Sequence, residues 1–400
     1  MKKSWIAFLT MVFCIILTQS VWAAYKIGFV AAITGPASWI GEPEKNTAVM
    51  LQEWINSARG ISGVPVEILI EDSKGMEGDA VLATKKLIER DKVPIIIGSS
   101  TTGESMAMLP ICERAETPMI SMASALSIVT PEDEMKRMET SAQPWLEVAK
   151  KQRYWIFKVA EKDADNVEKI YMYCQAKKIK KVGIITVSSG YGVEGRRQLK
   201  RLARKYGIEI VADELYEMRD TDMTAQLTKI KASGAQAVIN WSFGPAQVIV
   251  TKNWSDLGMR GKIPLIQSGA FGNKNNIKLA AGAAEGVIVV LQRAVFAEKV
   301  DPKNPQKPVL MKYKTEYEKR FKSDVSTFGG HAYDAIMMTV EVLKAVGPDK
   351  KKIRDYLETK IRYWPGVGGM FNMSPSDHTG FGTDGMEMIE VVKGEWELAK

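Results

Sequence analysis

The chain has few of the residues that bind metals or act as nucleophiles. Its 400 residues include two histidines, His331 and His378, and three cysteines. No CxxC, HExxH or carboxylate cluster has the spacing of metal ligands. Ser99 and Ser100 have no histidine near them in a recognised nucleophile motif. We therefore expect no metal, no cofactor and no enzymatic activity.

Long apolar runs are also scarce, and the one at the N-terminus has a specific context. Lys2 and Lys3 precede the apolar run WIAFLTMVFCIIL, and the small-residue segment TQSVWAA follows it, which is typical of a secretory signal. The run is shorter than the ~20 residues that span a membrane. We expect residues 1–23 to be removed after Ala23, so that the mature protein is exported, soluble and periplasmic.

The cysteines and the basic residues do not point to special chemistry. Cys112 and Cys174 lie in segments with helical patterning, and we expect buried free thiols because their spacing does not support a disulfide. The net charge is +8, with its densest runs at 177–181 and 196–205, and the second of these carries Leu199 and Leu202 at helical spacing. Because no nucleic-acid-binding motif accompanies this charge, we expect no nucleic-acid partner.

Strand and helix patterns alternate along the chain. Apolar runs at 25–33, 64–73, 93–98 and 118–124 predict strands, and the segments between them are amphipathic. After a charged, helix-like interval at 131–153, a second set of strands begins. It comprises IFKVA and the runs at 180–189, 208–216, 237–243, 264–270 and 286–295, and a β-hairpin is predicted at the end. The pattern predicts two α/β lobes with parallel sheets and a ligand cleft between them.

The ordered set of segments resembles the leucine/isoleucine/valine-binding proteins, a family of type I periplasmic solute-binding proteins of ABC importers. The resemblance rests on IGFVAAITGPASWIGEPEKNTAVMLQEWIN, GVPVEILIEDSKGMEGDAVLATKKLI, IIIGSSTTGES, TPMISMASA, KKVGIITVSSGYGVEG, GAQAVINWSFGPAQ, AAGAAEGV and AYDAIMMTVEVLKAVG. It implies a doubly wound two-lobed receptor that closes like a Venus flytrap around a hinge of three crossovers. We expect those crossovers near Ala160, Val295 and Trp364. The N lobe would comprise 25–160 and 294–364, and the C lobe 161–293 and 365–400.

A run of small hydroxyl residues follows the third predicted strand, in GSSTTGES from Gly98 to Ser105. Such residues suit a helix N-terminus, whose free N–H groups attract anions. In relatives that bind amino acids, a Ser/Thr hydroxyl and backbone N–H groups at this place hold the solute's carboxylate. The resemblance therefore implies that Thr102, with Ser100 and Thr101 beside it, binds a carboxylate, although a plain helix cap is the alternative.

The resemblance implies a second contact after the fourth strand, at Ala123, Ser124 and Ala125. Relatives usually have Thr or Ser where Ala125 stands, and they have an acid after the strand that matches PLIQSGA. Here that place reads Gly269-Ala270-Phe271, without a carboxylate. Because burying an ammonium group without a counter-charge is costly, the cation-binding half of the site is expected to be missing.

Aromatic residues at loop ends suggest what else the cleft binds. Trp39 is placed in the first strand–helix loop, Tyr191 follows the strand VGIITVSSG, and Phe243 and Phe271 each end a C-lobe strand. Core packing is the alternative for each one, and Trp241 is more readily interpreted as core. As a set, they favour an apolar or aromatic acid over an amino acid.

The two histidines are given structural roles. His378, in SPSDHTG near the third crossover, is expected to form hinge hydrogen bonds, and His331 is expected to be structural. The predicted function is that of a monomeric receptor that delivers a small carboxylate-bearing solute, an apolar or aromatic acid or a branched-chain amino acid, to an inner-membrane ABC permease. A sensor of the same fold that feeds a signalling partner is the alternative.

Overall fold

The computed structural model describes residues 24–139 and 151–399. The predicted signal sequence, residues 1–23, and residues 140–150 of the charged interval lie outside the described residues. None of the helices in the described ranges is both long enough and apolar enough to cross a bilayer.

The N lobe is built on a five-stranded parallel sheet with the order β2-β1-β3-β4-β5. Its short central strands β3 and β4 are fully buried, because helices cover both faces of the sheet. The strands are β1 (Tyr25–Ala31), β2 (Val66–Asp72), β3 (Ile96–Gly98), β4 (Met119–Ser121) and β5 (Ile156–Lys158).

The C lobe is built on a seven-stranded sheet with the order β14-β13-β10-β9-β8-β6-β7. Five strands are parallel, and the terminal hairpin β13–β14 extends the sheet antiparallel to β10. The strands are β6 (Lys181–Val187), β7 (Glu209–Tyr216), β8 (Ala237–Trp241), β9 (Leu265–Gln267), β10 (Ile288–Gln292), β13 (Met386–Val392) and β14 (Glu395–Leu398). A small separate ribbon pairs β11 (Trp364–Pro365) with β12 (Met370–Phe371).

Twelve α-helices lie in the described residues, and they divide between the two sheets. The N-lobe helices are α1 (Ser38–Ser57), α2 (Glu77–Lys85) and α3 (Thr102–Arg114), together with α10 (Lys307–Phe321), α11 (Thr327–Val346) and α12 (Lys350–Lys360). Helix α4 (Glu132–Glu139) lies between β4 and β5 in the chain and contacts the C-lobe helix at Gly190–Ala203. The C-lobe helices are α5 (Asp163–Ala176), α6 (Gly190–Ala203), α7 (Thr224–Ala232), α8 (Pro245–Asp256) and α9 (Lys274–Ala280).

The predicted two-lobed α/β fold is confirmed, and the chain passes between the sheets three times. It leaves β5 at Lys158 and enters α5 at Asp163, leaves β10 at Gln292 for α10, and returns from α12 to β13. The predicted crossovers near Ala160, Val295 and Trp364, and with them the lobe boundaries, stay predictions.

The predicted strands are longer than the observed ones, and the difference lies mostly at their carboxyl ends. The run at 237–243 is a strand only to Trp241, and the run at 264–270 only to Gln267. Helix α1 begins at Ser38, so the prediction that Trp39 lies in a loop is wrong: Trp39 lies in the first helical turn. Apolar residues continue past these strand ends because they line a cavity rather than a sheet.

Cys112 and Cys174 are buried and unpaired, as predicted. Burial raises the pKa of each thiol to about 12.

Candidate solute-binding site

A cavity of about 440 Å³ lies between the two lobes. Its N-lobe wall follows the ends of β1, β2, β3 and β4, and its C-lobe wall follows the ends of β6, β7, β8 and β9. The start of α11 and the segment between β5 and α5 complete it. The carboxyl ends of parallel strands are where open α/β sheets place ligands.

The hydroxyl-rich turn lines this cavity through Ser100, Thr101 and Thr102, but its three hydroxyls do different things. Thr101 is the N-cap of α3: its Oγ1 accepts a bond from the Glu104 amide at 3.4 Å and donates to Glu104 Oε2 at 2.6 Å. The Thr101 hydroxyl thus caps the helix and is also bonded to the Glu104 side chain. The plain-cap alternative therefore accounts for the Thr101 side chain.

Thr102 and Gly103 leave the cavity-facing end of α3 open. Among the described residues no acceptor is bonded to their amide N–H groups, as expected for the first turn of a helix. The Thr102 side chain is buried, and no bond from its hydroxyl is found in 24–139 and 151–399. Two N–H groups and one hydroxyl thus remain for an anion, with the helix dipole favouring negative charge.

Two groups of the N lobe are hydrogen-bonded to the Ser100 hydroxyl. Its Oγ accepts a bond from the Ala32 amide at 2.9 Å and shares a second hydrogen bond with Oε2 of Glu44. Glu44 is fully buried, and its other oxygen, Oε1, has no partner among the described residues. Ser100 therefore connects the cavity to a buried carboxyl group.

The loop after β4 contributes two of its three predicted residues. Ala123 and Ser124 line the cavity, and the Ser124 hydroxyl lies 3.5 Å from Oε1 of Glu161. Ala125 does not line it: this residue is fully buried in the N-lobe core beside Leu126. Its side chain points into the core because the chain turns into a short 3₁₀ helix there.

Aromatic rings line part of the cavity. Tyr191 and Phe243 line it from the C lobe, with their centroids 6.0 Å apart, and Phe328 lines it from α11. Trp39 packs between Phe328 and Phe243, at centroid distances of 5.2 and 6.3 Å, but does not line this cavity. It lines a second cavity, of about 550 Å³, instead.

Phe271 is not part of the cavity wall. It lies four residues beyond β9, in a 3₁₀ turn, and its fully buried ring packs against Trp396 of β14 at 6.4 Å. Gly269 and Ala270 reach the cavity in its place. Trp241 is fully buried at the end of β8, as its core interpretation predicts.

Glu161 and His331 line the cavity, and sequence reasoning missed both. Oε2 of Glu161 accepts a bond from Gln292 at 2.9 Å and lies 3.4 Å from Nε2 of His331, while Oε1 accepts from Asn166 at 3.2 Å. The description of His331 as structural is therefore incomplete. Its Nε2 also contacts Oε1 of Gln292 at 2.9 Å, so this nitrogen carries a proton.

The surroundings of Glu161 keep it ionised. Burial opposes its charge, but the hydrogen bond and charge of His331, with the charge of Lys158, lower its pKa to about 2. A stable negative charge therefore faces the cavity where the sequence predicted none. No signal in the sequence separates Glu161 from its acidic neighbours Asp163 and Asp165, because its position depends on the path of the crossover.

His378 makes hydrogen bonds, as predicted, to residues of β5 and α12. Its Nδ1 lies 2.8 Å from the Ile156 carbonyl oxygen, its Nε2 lies 3.1 Å from Glu358 Oε1, and its ring stacks on Phe157. No group of three or more His, Cys, Asp and Glu in 24–139 and 151–399 is arranged to hold a metal.

Comparison with known proteins assigns the chain to a family. The family described as "Periplasmic binding protein" matches residues 24–395. The chain belongs to this family. Its members bind substrates and are not enzymes, so the prediction of no catalytic activity is confirmed.

Several named relatives resemble this periplasmic binding protein over most of its length. The leucine-, isoleucine-, valine-, threonine- and alanine-binding protein of Pseudomonas aeruginosa is 23% identical over 83% of this chain and 81% of its own. Leu/Ile/Val-binding protein homolog 6 of Brucella melitensis is 22% identical over 92% and 88%. The predicted resemblance to the leucine/isoleucine/valine-binding proteins is confirmed.

Solved structures share the fold of this periplasmic binding protein. An extracellular ligand-binding receptor from Rhodopseudomonas palustris HaA2 superposes with a TM-score of 0.82 and 26% identity, covering 94% of this chain and all of its own. A branched-chain amino acid transporter substrate-binding protein from Streptococcus pneumoniae, solved with isoleucine, has a TM-score of 0.75 and 23% identity over 94% and 99%.

Proposed function

We propose that this protein is a periplasmic receptor that binds a small carboxylate-bearing solute between its lobes and delivers it to an inner-membrane ABC permease. The observation that carries the proposal is the open start of α3, where the N–H groups of Thr102 and Gly103 and the Thr102 hydroxyl face the interlobe cavity. This arrangement suits a carboxylate. Closure of the lobes on the solute shifts the receptor to the form that the permease recognises.

The rest of the cavity restricts the solute further. Tyr191, Phe243 and Phe328 offer an apolar, aromatic wall. The charge of Glu161 offers a partner for an ammonium group, so the sequence argument against amino acids no longer holds. We therefore propose a solute with one carboxylate and an apolar body, either a branched-chain amino acid or an aromatic acid. The names of the relatives support the first of these.

A thermal-shift screen tests the binding proposal. Mature protein is heated with leucine, valine, benzoate or succinate, and calorimetry measures Kd for each hit. At a free concentration of about 100 times Kd, a bound solute adds about 2.7 kcal/mol to the stability and raises Tm visibly. Stabilisation by leucine or benzoate supports the proposal, and a panel without any shift contradicts the proposed solute class.

Co-purification tests the delivery proposal. A tagged receptor, cross-linked in the periplasm with its solute present, is expected to recover a permease subunit. Recovery of a membrane signalling receptor instead would support the sensor alternative. Gel filtration with light scattering checks the accompanying proposal that the receptor is a monomer.

A further inference from the structure

The carboxyl group of Glu44 lies behind the solute cavity and has an unusual environment. The side chain is completely buried in α1 of the N lobe. Oε2 is hydrogen-bonded to the Ser100 hydroxyl, and Oε1 has no partner among the described residues. Among the described residues, the Glu44 side chain is hydrogen-bonded neither to a strand nor to the free N–H groups of a helix.

The surroundings of Glu44 disfavour a negative charge. Burial raises its pKa well above the ordinary value, the bond to Ser100 opposes this rise, and the charge of Glu104 adds to it. An ionised carboxylate here would be buried without a cation and with one oxygen unbonded, which is costly. Glu44 is therefore expected to be a neutral carboxylic acid at neutral pH.

The position of the acid proton follows from the two oxygens. A proton on Oε1 would leave a buried O–H donor without an acceptor, whereas a proton on Oε2 finds Ser100 Oγ directly. Unpaired buried carbonyl oxygens are tolerated better than unpaired donors. The proton thus belongs on Oε2, and Glu44 donates to Ser100.

This assignment changes what Ser100 does. A serine hydroxyl can accept two hydrogen bonds and donate one. The Ala32 amide and the Glu44 acid fill both acceptor positions, and no other acceptor for Ser100 is found in the described part of the chain. Because Ser100 lines the cavity, its own proton is left for a group inside the cavity.

We propose that Glu44 is a positioning residue: as a neutral acid it donates to Ser100 Oγ and thereby directs the Ser100 hydroxyl proton toward the solute's carboxylate. The carboxylate part of this proposal rests on the proposed function, and the protonated state of Glu44 does not. Ser100 then adds a second hydroxyl donor to the two amide N–H groups and the Thr102 hydroxyl at the start of α3.

Infrared difference spectroscopy tests the protonated state without any solute. The spectrum of the wild-type protein minus that of Glu44→Gln at neutral pH is expected to show the C=O band of a protonated carboxylic acid. Carboxylate bands in its place would overturn the proposal. If Glu44→Gln does not fold, Ser100→Ala decides: loss of the acceptor shifts the acid band to higher frequency, and an unmoved band contradicts the bond.

Binding of benzoate and, separately, of L-leucine tests the role of Ser100. Ser100→Ala is expected to weaken binding by about tenfold to a hundredfold, the range for a hydrogen bond to a charged group. Ser99→Ala is the matched control, since its hydroxyl is buried in the same turn and does not line the cavity. Equal affinities of Ser100→Ala and wild type would overturn the proposal.

The pH dependence of benzoate binding separates Glu44 from the other ionisable groups. When Glu44 ionises at alkaline pH, the Ser100 hydroxyl donates its hydrogen bond to Glu44 instead of to the solute, and a negative charge is added behind the cavity. Wild-type affinity for benzoate is therefore expected to fall as pH rises. Glu44→Gln, which still donates to Ser100, is expected to lack that part of the fall, because the other ionisable groups of the cavity and Glu104 beside Glu44 are the same in both proteins. Parallel profiles would contradict the proposal. If wild type binds neither probe, the proposed solute class fails, and the infrared result still decides the state of Glu44.

Discussion

The carboxylate of Glu161 lies against Gly269, so close that a Cβ on Gly269 would stand 3.2 Å from Oε1. Gly269 belongs to the C-lobe loop where the sequence comparison found no acid. The structure brings a carboxylate to the same place from the segment between β5 and α5. The negative charge of the site is thus supplied by another part of the chain.

Replacing this carboxylate distinguishes two solute types. Glu161→Gln is expected to weaken leucine binding by about 1.5–3 kcal/mol, because the ammonium group loses a charged partner. Benzoate, which has no ammonium group, is expected to bind as tightly as before or more tightly. Calorimetry with both solutes measures this, and Glu161→Asp is the control that keeps the charge. An equal loss for both solutes would contradict the ammonium role.

The lowered pKa of Glu161 predicts acid sensitivity. The folded-state pKa of Glu161, about 2, lies below the ordinary 4.5. The contribution of its carboxylate to the free energy of unfolding is therefore complete above pH ~4.5 and is lost as pH falls toward 2. The shift corresponds to about 3 kcal/mol. Urea unfolding at neutral pH and near pH 3 should show a larger loss in wild type than in Glu161→Gln. Identical losses would argue against a stabilising role of the ionised Glu161 carboxylate.

Two adjacent threonines are expected to affect different quantities. Thr102→Ala removes a cavity hydroxyl and is expected to weaken carboxylate binding by about 1–3 kcal/mol with little change in stability. Thr101→Ala removes the N-cap of α3 and is expected to lower the free energy of unfolding by about 0.5–2 kcal/mol. Paired calorimetry and urea titrations separate the effects. Unchanged affinity in Thr102→Ala would argue against the anion site.

The lobes meet closely beside the cavity, at Gly190 and Thr102. A Cβ on Gly190 would lie 3.4 Å from Thr102 Cγ2 across the cleft. Gly190→Leu is therefore expected to hold the lobes apart, lowering solute affinity and preventing the decrease in radius of gyration on binding. Small-angle scattering and calorimetry measure these. Gly282→Leu is the control, because Gly282 is exposed with no atoms within 4 Å of its Cβ position.

The sheets and most helices could be predicted because their signals are local. Buried runs such as Ile96–Gly98 and amphipathic segments such as Gly190–Ala203 follow directly from apolar spacing. Strand ends were placed too late, as at Phe243, because apolar cavity residues continue the strand pattern. The sequence predicts too late a start for α1, since it places Trp39 in the loop before the helix, whereas the helix begins at Ser38.

The site could be predicted only where it follows a strand directly. Ser100, Thr102 and Tyr191 are examples, since each comes just after a strand end. Glu161 and His331 depend on how the crossover and α11 fold back between the lobes, and sequence spacing does not encode that. The sequence predicts that Phe271 and Ala125 face the cavity, but a short 3₁₀ turn directs each side chain into a core instead.

Within residues 24–139 and 151–399, every residue that lines the cavity lies outside the fourteen strands. Folding and selectivity therefore reside in different parts of the molecule. A lineage can exchange its cargo by altering loops and helix starts while the two sheets stay as they are.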